Sequence, residues 1–123
     1  MDEPRDREYS RAPEVEDLTA LCRSLNAAGV RYVLTGGFAD ILNGATRTTK
    51  NIDLLVESSS ENVGRIRSAL SSLPDKAVLQ VEDGDLERYG VVRVADEIVV
   101  DLMAAACGVT YGDAVAAGIQ EKK

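Results

Sequence analysis

Apolar and polar positions follow helical spacing over several parts of the chain. Apolar residues recur at this spacing between Val15 and Leu25, which predicts a helix. Pro13 suits the first turn of this helix, and Gly29 stops the pattern. Further helices are predicted at 38–42 and 60–73, with a weaker one at 111–119.

Short runs of apolar and β-branched residues predict the strands. These runs lie at 30–34, 52–56, 91–94 and 98–102, with a shorter one at 77–81. The acidic stretch 82–90 is predicted to be a solvated loop. Ala95, Asp96 and Glu97 separate the last two strands as in a hairpin, whose strands are antiparallel. The alternation of helices and strands therefore predicts an α/β (α+β) domain with a mixed sheet and flanking helices.

Length and charge narrow the possible functions. The chain has 123 residues, which suits a single hydrophobic core. Residues 1–12 are polar and lack periodicity, so we expect a disordered tail followed by one domain over 13–123. The net charge of -7 argues against unspecific binding to a nucleic-acid backbone, which requires a basic surface.

Location and thiol chemistry are also constrained by the sequence. No apolar run is long enough to span a membrane, and the charged start of the chain lacks the apolar core of a secretory signal. We therefore expect a cytoplasmic protein that does not insert into membranes. The chain contains no His, and Cys22 and Cys107 are far apart, which argues against a zinc site built from thiols and imidazoles.

A polar pattern interrupts the strand predicted at 52–56. Asn51 and Asp53 are two positions apart, so their side chains point to the same face of the sheet. Asp101 ends the last apolar run and joins them if the two strands are neighbours. Oxygen donors without His or Cys suit Mg²⁺ or Mn²⁺. These three residues are therefore the candidate metal ligands and catalytic residues.

A glycine pair lies one predicted strand away from the candidate ligands. Gly36 and Gly37 separate a predicted strand from a predicted helix, where a phosphate can approach the backbone and the free N–H groups of the helix. We expect the N–H groups around Gly37 and Phe38 to bind phosphate. Arg47 and Lys50, in the following turn, would add positive charge. The pattern favours a pocket for a nucleoside triphosphate and its cation.

Each candidate also has a plainer interpretation. The glycine pair can form a tight turn without a ligand, Asp53 can be a solvated charge at a strand end, and Asp101 can cap the segment that follows it. Arg47 and Lys50 are more commonly solvated loop charges than ligands. A binding role is favoured for Asp53 because an unpaired carboxylate among apolar neighbours is costly.

The segment 36–56, GGFADILNGATRTTKNIDLLV, resembles the signature of the nucleotidyltransferase (polymerase-beta-like) superfamily. The similar branch is the small bacterial one, which includes antibiotic nucleotidyltransferases and AbiEii-type or MNT-type toxin–antitoxin proteins. Asp101, in EIVVDLM, falls where this family has its third carboxylate. The resemblance implies the nucleotidyltransferase fold, two divalent ions held by a D-x-D pair and the third carboxylate, and transfer of NMP from an NTP such as ATP. The acceptor would be a hydroxyl group of a drug, a protein or a tRNA.

One position departs from the family pattern. Asn51 replaces the first carboxylate, and a neutral amide attracts a dication much less than a carboxylate does. Either an inactivating substitution has been introduced, or the protein is a natural relative that binds nucleotide without fast transfer. The leading interpretation is a nucleotidyltransferase weakened at Asn51. The alternative is a catalytically weak or inactive binding module that acts through another protein, as MNT-type antitoxins do.

Family members usually carry additional helices that hold the acceptor. The chain ends soon after Asp101, so the resemblance implies that such helices are missing. A second domain, a protein partner or a homodimer is then expected to complete the cleft.

Overall fold

A computed structural model describes residues 10–37 and 49–118 of the protein. The helices are α1 (Val15–Ala27), α2 (Ser60–Leu70), α3 (Asp85–Tyr89) and α4 (Tyr111–Ala116), together with a 3-10 helix at Ala77–Gln80. One sheet contains β1 (Tyr32–Thr35), β2 (Asn51–Val56), β3 (Val91–Ala95) and β4 (Val99–Met103), and a small hairpin contains β5 (Ala105–Ala106) and β6 (Val109–Thr110). The helix predicted at 38–42 lies outside the described residues, as do Phe38 and Arg47.

The four-stranded sheet is mixed, as predicted. Its strand order is β1-β2-β4-β3; β2 and β4 are parallel, whereas the two outer pairs are antiparallel. β3 and β4 form the hairpin predicted from the sequence. Between β2 and this hairpin the chain passes through α2, the 3-10 helix and α3, which provides the long connection that parallel neighbours require. The predicted α+β class with flanking helices is therefore confirmed.

One face of the sheet packs against α1 and α2. Alternate residues of each strand point to this face, and they form a single core with the apolar sides of the two helices. The largest contributors are Tyr32, Leu34, Ile52, Leu54, Val100 and Leu102 from the sheet and Leu25, Ile66 and Leu70 from the helices. On the opposite face, α4 packs through Ala114 against Val33 and Leu55. Elsewhere on that face, Arg93 and Ala95 are exposed, so part of it is accessible to a ligand.

The segment predicted as a strand at 77–81 is a 3-10 helix instead. The carboxylate of Asp96 accepts hydrogen bonds from the backbone N–H groups of Asp75 at 2.9 Å and Ala77 at 2.8 Å. Between them, Lys76 adopts a left-handed conformation with a φ of 52°. Because Asp96 is far away in the sequence, its effect on this turn is not visible in the local apolar pattern.

The predicted acidic loop at 82–90 contains the short helix α3. This helix buries Leu86 completely in the core. One apolar residue among acidic ones gives too weak a periodic signal to predict a helix.

The last residues of the predicted N-terminal tail contact the β3–β4 turn. The hydroxyl group of Ser10 donates a hydrogen bond to the carbonyl oxygen of Asp96 at 2.6 Å. The backbone N–H of Arg11 donates to the carbonyl oxygen of Glu97 at 3.0 Å. Residues 1–9 lie outside the described part of the chain, so the expectation of a disordered tail over 1–12 remains a prediction there.

A buried asparagine attaches α2 to the β1–β2 pair. Asn62 is only 1% exposed. Its Oδ1 accepts a hydrogen bond from the Arg31 N–H at 2.8 Å, and its Nδ2 donates to the carbonyl oxygens of Arg31 at 3.1 Å and Glu57 at 2.7 Å. Arg31 precedes β1 and Glu57 follows β2, so this one amide fixes the ends of both strands. It thereby supports the register that positions Asp53.

We predict that Asn62→Ala lowers the free energy of unfolding by about 2–4 kcal/mol, because three backbone hydrogen bonds lose their partner inside the protein. The matched control is Glu61→Ala at the adjacent, exposed position, where only an exposed ion pair with Arg65 is lost. This control should cost at most about 1 kcal/mol. Urea unfolding followed by circular dichroism measures both, and equal losses would contradict the role of Asn62.

Candidate functional site

One row of side chains crosses all four strands on the accessible face of the sheet. In the strand register, Thr35 lies opposite Asp53, Asp53 opposite Asp101, and Asp101 opposite Arg93. Directly opposed residues have neighbouring side chains. The pairing of β2 with β4, on which the predicted convergence of Asp53 and Asp101 depended, is confirmed.

Asn51 connects the two carboxylates. Its Nδ2 donates hydrogen bonds to Asp53 Oδ1 at 2.5 Å and to Asp101 Oδ2 at 3.0 Å. Thr49 Oγ1 donates to the carbonyl oxygen of Asn51 at 3.0 Å and so holds the start of β2. The three predicted ligands therefore come together, with an amide N–H₂ group between two negative charges.

Arg93 is a fourth member of this group that the sequence patterns did not point to. Its Nε donates to Asp101 Oδ1 at 2.8 Å and its Nη2 donates to Asp101 Oδ2 at 3.0 Å, a bidentate ion pair. We call Asn51, Asp53, Arg93 and Asp101 the carboxylate cluster. The observed register pairs Arg93 with Asp101 around Glu97, whereas the predicted turn over 95–97 is centred on Asp96 and would have paired Arg93 with Val99, so the sequence patterns gave no usable signal for this ion pair.

The surroundings of Asp53 disfavour its negative charge. Burial raises the pKa of the Asp53 carboxyl group, and the charge of Asp101 raises it further, whereas the hydrogen bond from Asn51 and the charge of Arg93 act in the opposite direction. The hydrogen bonds to Asp101 raise the pKa of the Arg93 guanidinium group, which keeps this group charged. The charge of Asp53 is thus incompletely compensated, which favours a cation beside it.

Gly36 lies directly against Asp53. Its φ is +72°, and a Cβ added to it would overlap Asp53 Oδ2 and lie 2.8 Å from Asp53 Cγ. Glycine alone tolerates both the conformation and the close approach. β1 ends at Thr35 and the glycine pair follows it, in agreement with the predicted end of the strand; the helix predicted after the pair lies outside the described residues. The backbone of this turn therefore lies next to the carboxylate cluster, and phosphate binding at the turn remains a prediction from the sequence.

A cleft of about 490 Å³ opens beside the carboxylate cluster. The residues around it are Ser10, Arg11, Ala12, Lys50, Asn51, Arg93 and Val99. Lys50, predicted to contact phosphate, is exposed and lines this cleft. The charged residues in the lining are all basic, but Arg11 is paired with Asp17 and Glu97 and Arg93 with Asp101. Lys50 is therefore the lining residue whose charge favours an anionic ligand.

The donor atoms of the cluster suit a hard divalent cation. Within the part of the chain that the structure describes, His, Cys, Asp and Glu residues form no group of three or more that would hold a metal. The cluster instead offers two carboxylates and the amide of Asn51, whose oxygen faces them once the amide rotates. Oxygen donors of this kind fit one Mg²⁺ or Mn²⁺. The position reached by Asn51 Nδ2, close to both Asp53 Oδ1 and Asp101 Oδ2, is one that favours positive charge.

Comparisons of this chain with protein-family models, with curated proteins and with solved structures found no match. Across residues 10–37 and 49–118, no helix has the length and apolar character needed to cross a membrane. The carboxylate cluster and its cleft are therefore the basis for assigning a function.

We predict that Asp53→Asn raises the melting temperature at neutral pH. The amide has the shape of the carboxylate and still accepts a hydrogen bond from Asn51. It carries no negative charge, so neither burial nor the charge of Asp101 destabilises it. Because the pKa of Asp53 is raised in the folded state, the contribution of Asp53 to wild-type stability falls as the pH rises from the ordinary value of 3.8 through the raised pKa. The variant lacks this fall, so its advantage should disappear in acid.

Thermal melting from about pH 7 down to about pH 3 measures this difference, the range being set by the ordinary pKa of Asp. Asp101→Asn is the contrasting variant, because it weakens the bidentate pair with Arg93 and should lower the melting temperature. A lower melting temperature for Asp53→Asn at neutral pH would contradict the interpretation of its environment.

We predict that Gly36→Ala lowers the free energy of unfolding by about 1–3 kcal/mol, since the added methyl group is strained at positive φ and collides with Asp53. Gly64→Ala is the matched control; its added Cβ meets nothing within 4 Å, and it should stabilise α2 by about 0.5–1 kcal/mol. Urea unfolding measures both. A double-mutant cycle that combines Gly36→Ala with Asp53→Ala separates the cost of the collision with Asp53 from the cost of the strained backbone. If the two substitutions show no coupling energy, the added methyl group does not collide with Asp53.

Proposed function

We propose that the protein is a nucleotidyltransferase-like domain that binds an NTP with Mg²⁺ or Mn²⁺ and transfers NMP to a hydroxyl acceptor. The observation that carries this proposal is the pair of carboxylates held in register by β2 and β4, with one donor atom of Asn51 within hydrogen-bond distance of both. Two carboxylates that share one point of positive charge suit a bridging dication.

The phosphate side of the proposed site rests on Gly36 and Lys50. Gly36 leaves the backbone of the β1 turn against Asp53, so a triphosphate held by this turn would lie beside the carboxylates. Lys50 adds positive charge from the cleft. A divalent cation bound between the carboxylates supplies charge stabilisation for the triphosphate and the leaving pyrophosphate. ATP is a suitable NTP in the proposed cytoplasmic location, and the acceptor hydroxyl belongs to a drug, a protein or a tRNA.

Asn51 is expected to weaken this activity. The amide presents its N–H₂ group to the carboxylates, so an approaching cation meets donors instead of a third acceptor. Rotation of the amide would supply an oxygen but no charge, and two hydrogen bonds would be lost. We therefore propose that the protein binds the cation weakly and transfers NMP slowly. A carboxylate at position 51 would favour catalysis.

A second candidate function is favoured by the internal compensation of the cluster. Without a metal ion, Asn51 donates to both carboxylates and Arg93 pairs with Asp101, an arrangement that would also suit a site retained for structure. In this case the domain acts by binding another protein or a second copy of itself, as an antitoxin-like module. Cation and nucleotide binding would then be absent.

We predict that Asn51→Asp tightens the binding of Mg²⁺–ATP by about tenfold or more, because a third carboxylate attracts the dication that the amide does not. Without metal, the same change should lower the melting temperature, since two hydrogen bonds are replaced by repulsion between three like charges. Mn²⁺ should restore the melting temperature. Turnover should rise more than affinity, because charge develops on the leaving group in the transition state.

Isothermal titration with Mg²⁺–ATP measures the affinities, and release of pyrophosphate measures turnover. Asp53→Asn should abolish binding, whereas Glu16→Gln removes a charge from the exposed side of α1 and should leave binding unchanged. Equal affinity in wild type, Asn51→Asp and Asp53→Asn would contradict the nucleotidyltransferase function and favour the binding module.

A further inference from the structure

The hydrogen-bond acceptors of Asp101 are almost fully used within the fold. Its Oδ1 accepts from Arg93 Nε, and its Oδ2 accepts from both Arg93 Nη2 and Asn51 Nδ2. A carboxylate oxygen has two lone pairs, so both lone pairs of Oδ2 are engaged. A cation that binds at this oxygen must displace one of the two donors.

Arg93 is the donor that can leave with less disturbance of the fold. Its side chain is 63% exposed, whereas that of Asp101 is 11% exposed. Arg93 lies on β3, at the edge of the sheet, and lines the cleft, so a displaced guanidinium group moves into solvent. Opening the bidentate pair costs its two hydrogen bonds, but it leaves the guanidinium group hydrated instead of buried without a partner. Asn51, by contrast, is half-buried on β2 between two strands.

We propose that Arg93 is the resident counter-cation of Asp101, which a divalent ion displaces, and that Arg93 thereby sets the affinity of the carboxylate cluster for metal. This inference rests on the metal binding in the proposed function. The positive charge of Arg93 opposes a dication at the cluster even after the ion pair has opened, because the backbone of β3 keeps Arg93 opposite Asp101. Removal of this charge therefore makes the cluster a stronger metal site.

The competition also predicts that the cluster discriminates between cations. A dication interacts with both carboxylates with twice the charge of a guanidinium group, so it can replace Arg93. A monovalent ion has no such advantage over a charge that is already held by two hydrogen bonds. Arg93 accordingly protects the cluster from sodium and potassium ions.

The test measures binding of Mn²⁺ alone, with the free ion quantified by electron paramagnetic resonance. Arg93→Gln should bind Mn²⁺ about tenfold more tightly than wild type, because one positive charge close to the ion has been removed. Arg93→Lys keeps the charge and should stay within about threefold of wild type, a much smaller change than loss of the charge. Arg23→Gln is the matched control, since it removes an exposed positive charge from α1, and it should leave Mn²⁺ affinity unchanged.

A second measurement does not require any variant to fold. In wild-type protein titrated with Mg²⁺, the Nε resonance of Arg93 should move toward the value of a free arginine as the ion pair opens. A resonance that does not move while the Asp53 carboxyl resonance responds would overturn the displacement.

The outcomes separate this inference from the proposed function. If Arg93→Gln binds Mn²⁺ no more tightly than wild type, while Asp53→Asn abolishes that binding, the role of Arg93 is overturned and the metal site stands. If neither wild type nor Arg93→Gln binds Mn²⁺ and the wild-type resonances do not respond to Mg²⁺, both are overturned.

Discussion

The parallel pairing of β2 with β4 is the constraint on which the rest of this structure depends. Its register places Asp53 directly opposite Asp101, so two carboxylates lie side by side on a sheet, where like charges repel. The same register places Ile52 opposite Val100 on the buried face. A slip of one residue would turn the apolar residues out of the core and the carboxylates into it. The hydrophobic core therefore enforces the electrostatic repulsion that defines the site.

Neighbouring residues relieve this repulsion without removing it. Asn51 donates one hydrogen bond to each carboxylate, and Arg93 forms an ion pair with Asp101 while acting on Asp53 only through the longer-range effect of its charge. Burial and the charge of Asp101 therefore still raise the pKa of Asp53. The residues of the carboxylate cluster belong to strands and not to loops, and the buried Asn62 holds the ends of β1 and β2 through hydrogen bonds. The geometry of the cluster is thus set by rigid elements, as a preorganised site requires.

Features that follow from local periodicity were predictable from the sequence, and features that depend on distant partners were not. The period of two placed Asn51 and Asp53 on one face, but the pairing of β2 with β4 that brings Asp101 beside them was a condition that the local pattern did not determine. The 3-10 helix was missed because the distant Asp96 determines it. The orientation of the Asn51 amide also lay beyond the sequence, since it depends on which groups surround the side chain after folding.

The amide at position 51 determines how the site behaves when no ligand is bound. An amide is the smallest neutral side chain that can donate to two carboxylates at once, so it stabilises the empty cluster, whereas a carboxylate would need a cation to be tolerated. The hydrogen bonds that stabilise the empty site are also those that a cation must break. Stability of the empty fold and affinity for metal are therefore opposed at this residue, as they are at Arg93. The two functions proposed above therefore differ in the balance set by these two side chains and not in the topology of the sheet.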